Sequence, residues 1–348
     1  MDVDFLNAGC ADAIHIRFTG NDDMPHNIIV DGGSEKGNIY ETSLRIRIND
    51  VVNVRKEIID LWIITHIDDD HIGGILRLLK DPELMKSVDL SRTTFWFNHS
   101  IWDYDSGLRK DNLKTVEQAI TLREYILQNS NLINHITTAS GTINLWGAKL
   151  FILSPDDSQQ KALLELWKNY ETKIRQREIS NLKEGKKHDY DKKIESFDIC
   201  KESKDTSIEN GSSIAFVLEN NGERILLTAD SHPWVIAASI LKIWGAEKLK
   251  LKYMQVPHHG SRRNISAELL ALIDCDNYII SADAYNRSRL PNKETLVKIL
   301  SSNSDRDIVF HLTKKNDLTS SIFEVDSDHK INLCFPEPET NFLHFTLG

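Results

Sequence analysis

Residues 58–65 form an almost unbroken apolar run that ends in Thr65-His66-Ile67-Asp68-Asp69-Asp70-His71-Ile72-Gly73-Gly74. The run reads as a strand buried on both faces, and the glycine pair reads as the opening of a helix over 75–80. His66, Asp68, Asp70 and His71 therefore leave a strand end together, within six positions, and share one space. Glycine at 73 and 74 leaves room where backbone must pass close to them. Imidazole and carboxylate donors suit zinc, manganese or iron, and so dense a set can feed two ions. A solvated acidic loop with surface histidines is the weaker reading. Three aspartates and two histidines behind an apolar strand are costly without cations to neutralise them.

The rest of the chain mixes strands and helices throughout. Short apolar runs at 3–6, 13–18, 27–30 and 93–98 read as strands, the third ending on Asp31-Gly32-Gly33. Apolar spacing predicts a helix over 112–128, with Leu113, Val116, Ile120 and Leu127 on one face. A hairpin over 142–153 turns at Trp146-Gly147, and another joins 212–219 to 224–228 through Asn220-Asn221-Gly222. Helices follow over 233–245, 267–273 and 293–300, and strands over 249–256, 277–281, 307–313, 320–325 and 330–335. That alternation predicts an α/β sandwich, read as a single domain over 1–348.

One stretch differs in character. Residues 156–209 are rich in Lys, Glu, Asp and Gln, include Lys183-Glu184-Gly185-Lys186-Lys187, and offer few apolar anchors beyond Leu163, Leu164, Leu166 and Trp167. They read as a charged, helical insertion: one or two solvated helices with a mobile tip, or else a lid or partner-docking arm over the site.

Bulk composition excludes some classes. A formal charge of −10 argues against a surface built throughout to coat nucleic acid. A local basic cleft beside bound cations is still allowed. No apolar run approaches the roughly 18–20 residues of a membrane helix, and the acidic Met1-Asp2-Val3-Asp4-Phe5 leads straight into a strand, unlike a signal peptide. Cys10, Cys200, Cys275 and Cys334 are scattered without a CxxC pair. Neither a zinc knuckle nor a disulfide framework is expected, which suits a reducing cytoplasm.

Two further places offer donors. Asp230 ends a predicted strand, where its carboxylate is either a bridge between two metals or a helix N-cap. His258-His259-Gly260-Ser261 ends another. Adjacent histidines point different ways, so one can ligate while the other faces substrate.

Taken in order, these segments resemble the metallo-β-lactamase superfamily, and within it the hydrolase domain of ComEC-type DNA-uptake proteins. Val3-Asp4-Phe5-Leu6-Asn7-Ala8-Gly9-Cys10-Ala11-Asp12-Ala13-Ile14 is similar to that family's opening strand and Gly-x-x-Asp-Ala segment, and Ile29-Val30-Asp31-Gly32-Gly33 to its second strand. Residues 65–74 resemble its His-x-Asp-x-Asp-His-x-Gly-Gly loop, Leu226-Leu227-Thr228-Ala229-Asp230 its bridging-aspartate strand, and residues 256–261 its His-His-Gly-Ser turn. The likeness runs from residue 3 to about 325, broken chiefly by the charged stretch.

The resemblance implies an αββα sandwich of two mixed sheets flanked by helices, holding two divalent ions, manganese or zinc. His66 and Asp68 would hold one ion, Asp70 and His71 the other, with Asp230 bridging and the His258/His259 pair, His259 foremost, completing the second site. Asp68 stands where many relatives have a histidine, which hardens the donor set and shifts it from two zincs towards manganese or a mixed pair. Two departures matter. Glu209-Asn210-Gly211-Ser212-Ser213 carries Asn210 where many members have histidine, and Asn286-Arg287-Ser288-Arg289-Leu290-Pro291 lacks the histidine that relatives place before the proline.

The expected activity is hydrolysis by metal-activated water, foremost of phosphodiesters in nucleic acid or nucleotides. Asp70 would also accept a proton, and the non-ligating member of His258/His259 would act as general acid. Asn210, Ser261, Arg262 and Arg263 are the candidate substrate contacts, the arginines either meeting backbone phosphates or lying solvated. Two alternatives stand beside this. One is an ester, thioester or lactam hydrolase, since the fold serves many substrates. The other is a metal-bound sensor or scaffold recruiting a protein through the charged stretch. ComEC-type proteins couple this domain to a membrane channel, and nothing in this sequence suits one.

Overall fold

The computed structural model describes residues 1–99, 114–172 and 187–348. Among these, seven strands form one sheet in the order β17 (Phe342–Thr346), β1 (Asp2–Leu6), β2 (Ala13–Thr19), β3 (Pro25–Asp31), β4 (Leu61–Ile64), β5 (Thr94–Phe97) and β6 (Asn131–Ile133). Eight form a second, ordered β16 (Asn332–Cys334), β15 (Val309–Leu312), β14 (Asn277–Ile280), β12 (Tyr253–Gln255), β10 (Glu223–Leu227), β9 (Ala215–Asn220), β8 (Ala148–Ser154) and β7 (Thr142–Leu145). Both are mixed. Pairing is antiparallel from β17 to β3 and parallel from β3 to β6. In the second sheet it is antiparallel from β7 to β10 and parallel from β10 to β16.

The helices are α1 (Ile39–Thr42), α2 (Leu44–Asn49), α3 (Asp69–Leu78), α4 (Lys114–Asn129), α5 (Asp157–Thr172), α6 (Ile208–Gly211), α7 (Pro233–Trp244), α8 (Ala267–Ala271), α9 (Lys293–Ser302) and α10 (Asp317–Ser320). Side-chain alternation explains why four layers form. In β3 and β4, Ile28, Val30, Leu61 and Ile63 face Ile152, Phe216, Leu218 and Leu227 of the other sheet. Their neighbours Ile29, Trp62 and Ile64 turn outward onto Leu44, Ile48, Ile72, Ile75 and Leu122 of the helices. Leu226, Met254, Tyr278 and Phe310 likewise pack outward on Ile236, Ile240, Leu269 and Leu296. Each such buried Ile or Leu contributes roughly 1.5–3 kcal/mol. The apolar run at β4 is continuous because both of its faces are covered. This is the αββα sandwich expected from the sequence.

Several elements differ from expectation. The helix over 75–80 begins earlier, at Asp69, and holds both glycines inside it. Residues 249–256 do not form one strand: β11 (Leu249–Lys250) pairs with β13 (Ile273–Asp274) in a separate ribbon, and only β12 joins the main sheet. Residues 320–325 are not a strand. Asn316 and Thr319 form a reciprocal cap that starts α10, and the chain then turns so that Ile322 and Phe323 reach the core from irregular backbone. The helix over 112–128 is seen as α4, with Asn112 and Leu113 outside the described residues.

In the charged stretch, α5 buries Leu163 and Trp167 against the outer face of the first sheet. The run at 183–186 lies outside the described residues. Among the described residues no helix is long and apolar enough to cross a membrane, and the cysteines are unpaired.

Candidate metal centre

Parallel strands of both sheets end at the same edge of the sandwich. Asp31 closes β3, His66 follows β4, Asp230 follows β10, and His258 and His259 follow β12. The sheets are pinned together there, since the Ile214 amide donates to the Thr65 carbonyl at 3.0 Å. Asp68 precedes the first turn of α3, and its carbonyl accepts the amides of His71 (2.9 Å) and Ile72 (3.0 Å). Asp70 then sits in the first helical turn, where the helix dipole favours a carboxylate.

The glycines explain how close α3 comes. The Gly32 amide donates to the His71 carbonyl at 2.8 Å, and the Gly74 amide to the Gly33 carbonyl at 2.8 Å. A Cβ on Gly74 would collide with the Gly32 carbonyl oxygen. The histidine turn is held in an uncommon conformation, with φ of 48° at His258 and 53° at His259, and Ala229 (43°) and Asp31 (57°) share it. Non-glycine residues rarely adopt this region, and where they do they cluster at functional sites. The His258 amide donates to the Ala229 carbonyl at 2.9 Å, locking the two strained loops together.

Asp230 is the centre of the arrangement. Its Oδ1 faces His71 Nε2 at 3.5 Å and His259 Nε2 at 3.6 Å. Its Oδ2 faces His258 Nε2 at 3.5 Å and His66 Nε2 at 3.8 Å. Asp70 Oδ2 adds a donor 3.4 Å from His259 Nε2, and Asp68 Oδ2 one 3.8 Å from His66 Nε2. Good N–H···O bonds are shorter than these separations. Two donors each about 2.1 Å from a tetrahedral ion stand about 3.4 Å apart, which is the spacing seen.

Several of these atoms are buried without a hydrogen-bond partner: Nε2 of His66, His71 and His259, and Oδ1 of Asp230. Each orphaned group costs about 1–3 kcal/mol, so their gathering in one place calls for a shared partner. Bound divalent metal fits both the chemistry and the spacing of the donors.

Protons take over part of that work when no cation is present. Burial alone would depress the His71 imidazole, yet Asp31 and Asp230 hold it well above its ordinary value. Burial is likewise overcome at His259, which Asp230 and Asp12 lift to about 9. His66 goes the other way, pushed by burial and by His71 down to about 3. Partial burial, with Asp70 and Asp230 nearby, raises Asp68 to about 7 although a third of its side chain is exposed. Asp230, in spite of burial, is held well below the usual carboxylate range by His258, His259 and His71.

Behind the donors stand groups that aim them. His71 Nδ1 lies 2.7 Å from Asp31 Oδ2. His66 Nδ1 is 3.2 Å from Thr65 Oγ1, which donates to Asp31 at 2.7 Å. His258 Nδ1 meets Asn264 Oδ1 at 3.0 Å and Asp205 Oδ2 at 3.3 Å. Asp12 approaches the Nδ1 atoms of His259 (3.9 Å) and His71 (4.0 Å), with both of its oxygens unpartnered. One donor atom from each of Asp12, His71, Asp230 and His259 lies within 4.8 Å of the others.

The structure thus gathers His66, Asp68, Asp70, His71, Asp230, His258 and His259 in one place. The remaining sequence candidates lie around it. Asn210 is buried behind His258 and donates to Asp205 at 2.6 Å. Ser261 is buried in its turn, accepting the Arg263 amide at 3.3 Å. Arg262 leans on Glu294 at 3.4 Å, and Arg263 is exposed. Leu290 is buried in its loop. Sequence reasoning gave no role to Asp12, Asp31 or Asp205. The first two sit inside motifs that were read, but Asp205 lies in the charged stretch, where nothing sets it apart from its neighbours.

No family model matches the sequence, and no curated protein matches it. Among solved structures, the chain is similar to a diphosphatase from the PhnP family at 11% identity and TM-score 0.42, over 97% of this chain and 85% of that one. It is similar to the metallo-β-lactamase fold protein YhfI from Bacillus subtilis at 10% identity and TM-score 0.43, over 99% and 98%. It is also similar to Zn(2+)-bound PqqB from Methylobacterium extorquens at 10% identity and TM-score 0.41, over 100% of both. Likenesses this loose leave function to the donor geometry.

Proposed function

We propose that this chain is a metallo-β-lactamase-type hydrolase that binds two divalent cations and cleaves phosphodiester bonds in nucleic acid or nucleotides. The observation that carries the reading is Asp230, whose two oxygens each face a different pair of imidazole Nε2 atoms at 3.5–3.8 Å. His66, Asp68, His258 and Asp230 Oδ2 would hold one ion, and Asp70, His71, His259 and Asp230 Oδ1 the other. Two cations held by these residues would lower the pKa of water and balance charge on an attacked phosphoryl group.

The chain's own residues supply the rest. Burial keeps His66 neutral, so its Nε2 lone pair is free to donate. Asp31 and Asp205 hold the rings of His71 and His258 in one orientation. Asp68, Asp70 and His258 keep 35%, 37% and 26% of their side-chain exposure while the other donors are buried, so substrate enters from their side. Asp70, open on that side, accepts the proton that water gives up on attack. The oxygen-rich donor set favours manganese over zinc, and Arg262 and Arg263 stand just beyond the histidine turn as contacts for phosphate oxygens. The ComEC-type resemblance rests on the sequence motifs and points the same way.

The test is a metal-stripped sample reloaded with manganese or zinc. It is assayed on bis(p-nitrophenyl) phosphate, single- and double-stranded nucleic acid, cyclic dinucleotides and a p-nitrophenyl carboxylic ester. Metal-dependent phosphodiester cleavage that Asp70→Ala or Asp230→Ala abolishes is the expected result. Ester turnover without phosphodiester cleavage would move the assignment to carboxylic esters, and failure to bind either metal would overturn it altogether.

A further inference from the structure

The charged stretch returns to the metal centre at its end. Asp205 is only 6% exposed, and four donors converge on its carboxylate. The Ser207 amide donates to Oδ1 at 3.1 Å. Oδ2 accepts from Asn210 Nδ2 at 2.6 Å and Asn264 Nδ2 at 3.0 Å, and lies 3.3 Å from His258 Nδ1. The segment leading to it is tied to two helices, once through its backbone and once through the Glu202 side chain. Lys298 Nζ donates to the Lys201 carbonyl at 2.9 Å, and the Ala267 amide to Glu202 at 3.0 Å.

An ionised carboxylate only accepts, so the Asn264 atom facing Asp205 must be its NH2 group. That group also reaches the Asp230 carbonyl at 3.1 Å. The other end of the same amide, Oδ1, must then face His258 Nδ1, 3.0 Å away. Asn210 Nδ2 also lies 3.3 Å from Nδ1, but it donates to Asp205 Oδ2 at the shorter 2.6 Å. The two acceptors at Nδ1, Asn264 Oδ1 and Asp205 Oδ2, therefore assign it the N–H. Nε2 is left with its lone pair, aimed at Asp230 Oδ2 from 3.5 Å. Carboxylates behind ligating histidines fix tautomer and ring orientation in this way.

We propose that Asp205 is a positioning residue that sets the tautomer and aim of His258, and so sustains selectively the cation site of His66, Asp68 and His258. The proposal rests on the two-cation reading above but not on which ester is cleaved. Selectivity follows from the layout: in the second set, Asp70, His71 and His259, it is Asp31 that backs His71, and Asp205 touches none of the three. On this view the charged stretch completes the active site.

The test titrates manganese alone and zinc alone into the metal-free full-length chain by calorimetry, with melting curves alongside. Wild type is expected to bind two ions. Asp205→Asn should bind one as tightly as wild type and the other about 10–100-fold more weakly, and Asp205→Glu should recover part of the loss. Ser207→Ala controls for loosening of the turn, because its hydroxyl caps Asn210 without touching His258; it should bind both ions like wild type. Unchanged binding of both ions in Asp205→Asn would overturn the proposal. So would equal weakening of both together with a lowered melting point, or an Asp205→Asn-like defect in Ser207→Ala. If wild type itself bound no ion, the two-cation reading would fall first.

Discussion

The carboxylate of Asp31 serves His71 and Thr65 at once, with Oδ2 2.7 Å from His71 Nδ1 and 2.7 Å from Thr65 Oγ1, and Oδ1 2.8 Å from the Thr65 amide. A single residue at the end of β3 thus aims an imidazole carried by α3 and tethers the strand end that carries His66. Asp31→Asn keeps the shape but turns an NH2 group towards at least one donor. The expected outcome is a folded protein whose affinity for the ion at Asp70, His71 and His259 falls about 10–100-fold. Calorimetric titration with zinc or manganese reads this directly, and unchanged affinity would reduce Asp31 to a packing role.

Gly74 offers a test in which the usual sign reverses. Replacing a helical glycine by alanine normally stabilises by roughly 0.4–1 kcal/mol. Here the Cβ would strike the Gly32 carbonyl oxygen, while the neighbouring Gly74 amide is bonded to Gly33. Either α3 or the Gly32-Gly33 loop must move. Gly74→Ala should therefore destabilise by about 3 kcal/mol, the upper end of ordinary overpacking costs, and weaken metal binding as the donors on α3 shift. Urea denaturation of the metal-free protein measures the first effect, and a stabilised variant would contradict the close approach.

Particular residues show what could be read in advance. The donors from His66 to His71 were legible because carboxylates and imidazoles rarely crowd a strand end without a ligand. The turn at Asn221-Gly222 was legible because both residues tolerate the positive φ found there, and that at Trp146-Gly147 because its glycine does, although Trp146 also takes a φ of 50°. Strand β17 was not, although Leu343 and Phe345 alternate with exposed neighbours, because the strand it pairs with, β1, lies at the other end of the chain. Residues 320–325 look like a strand by apolar content, but the Asn316–Thr319 cap wins locally. The backing carboxylates were hidden for a different reason. Asp205 acquires its role only when the fold brings it to His258, 53 positions away, and no local pattern marks such a pairing.

Metal-free protein should show a stability maximum near neutrality that bound metal removes. His259, buried yet lifted by Asp230 and Asp12, rises from 6.5 to about 9 in the folded state. The native state then holds a proton that the unfolded chain releases, so this contribution is complete below pH 6.5 and disappears as pH rises through about 9. His66 and His15 act on the other side, pushed by burial from 6.5 to about 3 and about 4 respectively. Their stability contributions are present above pH 6.5 and fall away as pH drops towards those values, while Asp68, raised from 3.8 to about 7, opposes them over that interval and makes the acid limb the shallower one. Melting temperatures of the metal-free chain from pH 4 to 10 should trace that dome. With saturating zinc the alkaline limb should flatten, because metal displaces the proton on His259. An alkaline limb equally steep with and without zinc would count against His259 as a donor.

The Lys293–Asp326 ion pair gives a prediction far from the donors but tied to the charged stretch. Lys293 is completely buried at the start of α9, where a cation opposes the helix dipole, and Asp326 is 2% exposed. The ammonium also donates to the carbonyls of Lys192 (2.5 Å) and Tyr190 (3.4 Å), while Asp326 Oδ1 accepts the Ile194 amide at 2.8 Å. Together they strap residues 190–194 to the second sheet's helix layer. Asp326→Ala leaves the ammonium buried without its counter-charge, which costs about 3–5 kcal/mol. Lys293→Met combined with Asp326→Leu removes both charges and should cost much less, since replacing a whole buried pair by apolar groups is often near neutral. Denaturant unfolding of the two variants separates these cases, and hydrogen exchange at the Ile194 amide should quicken in both. A loss below about 1 kcal/mol for Asp326→Ala would mean that Lys293 finds water by a small rearrangement, and the strap would then be held by its backbone contacts instead of by charge.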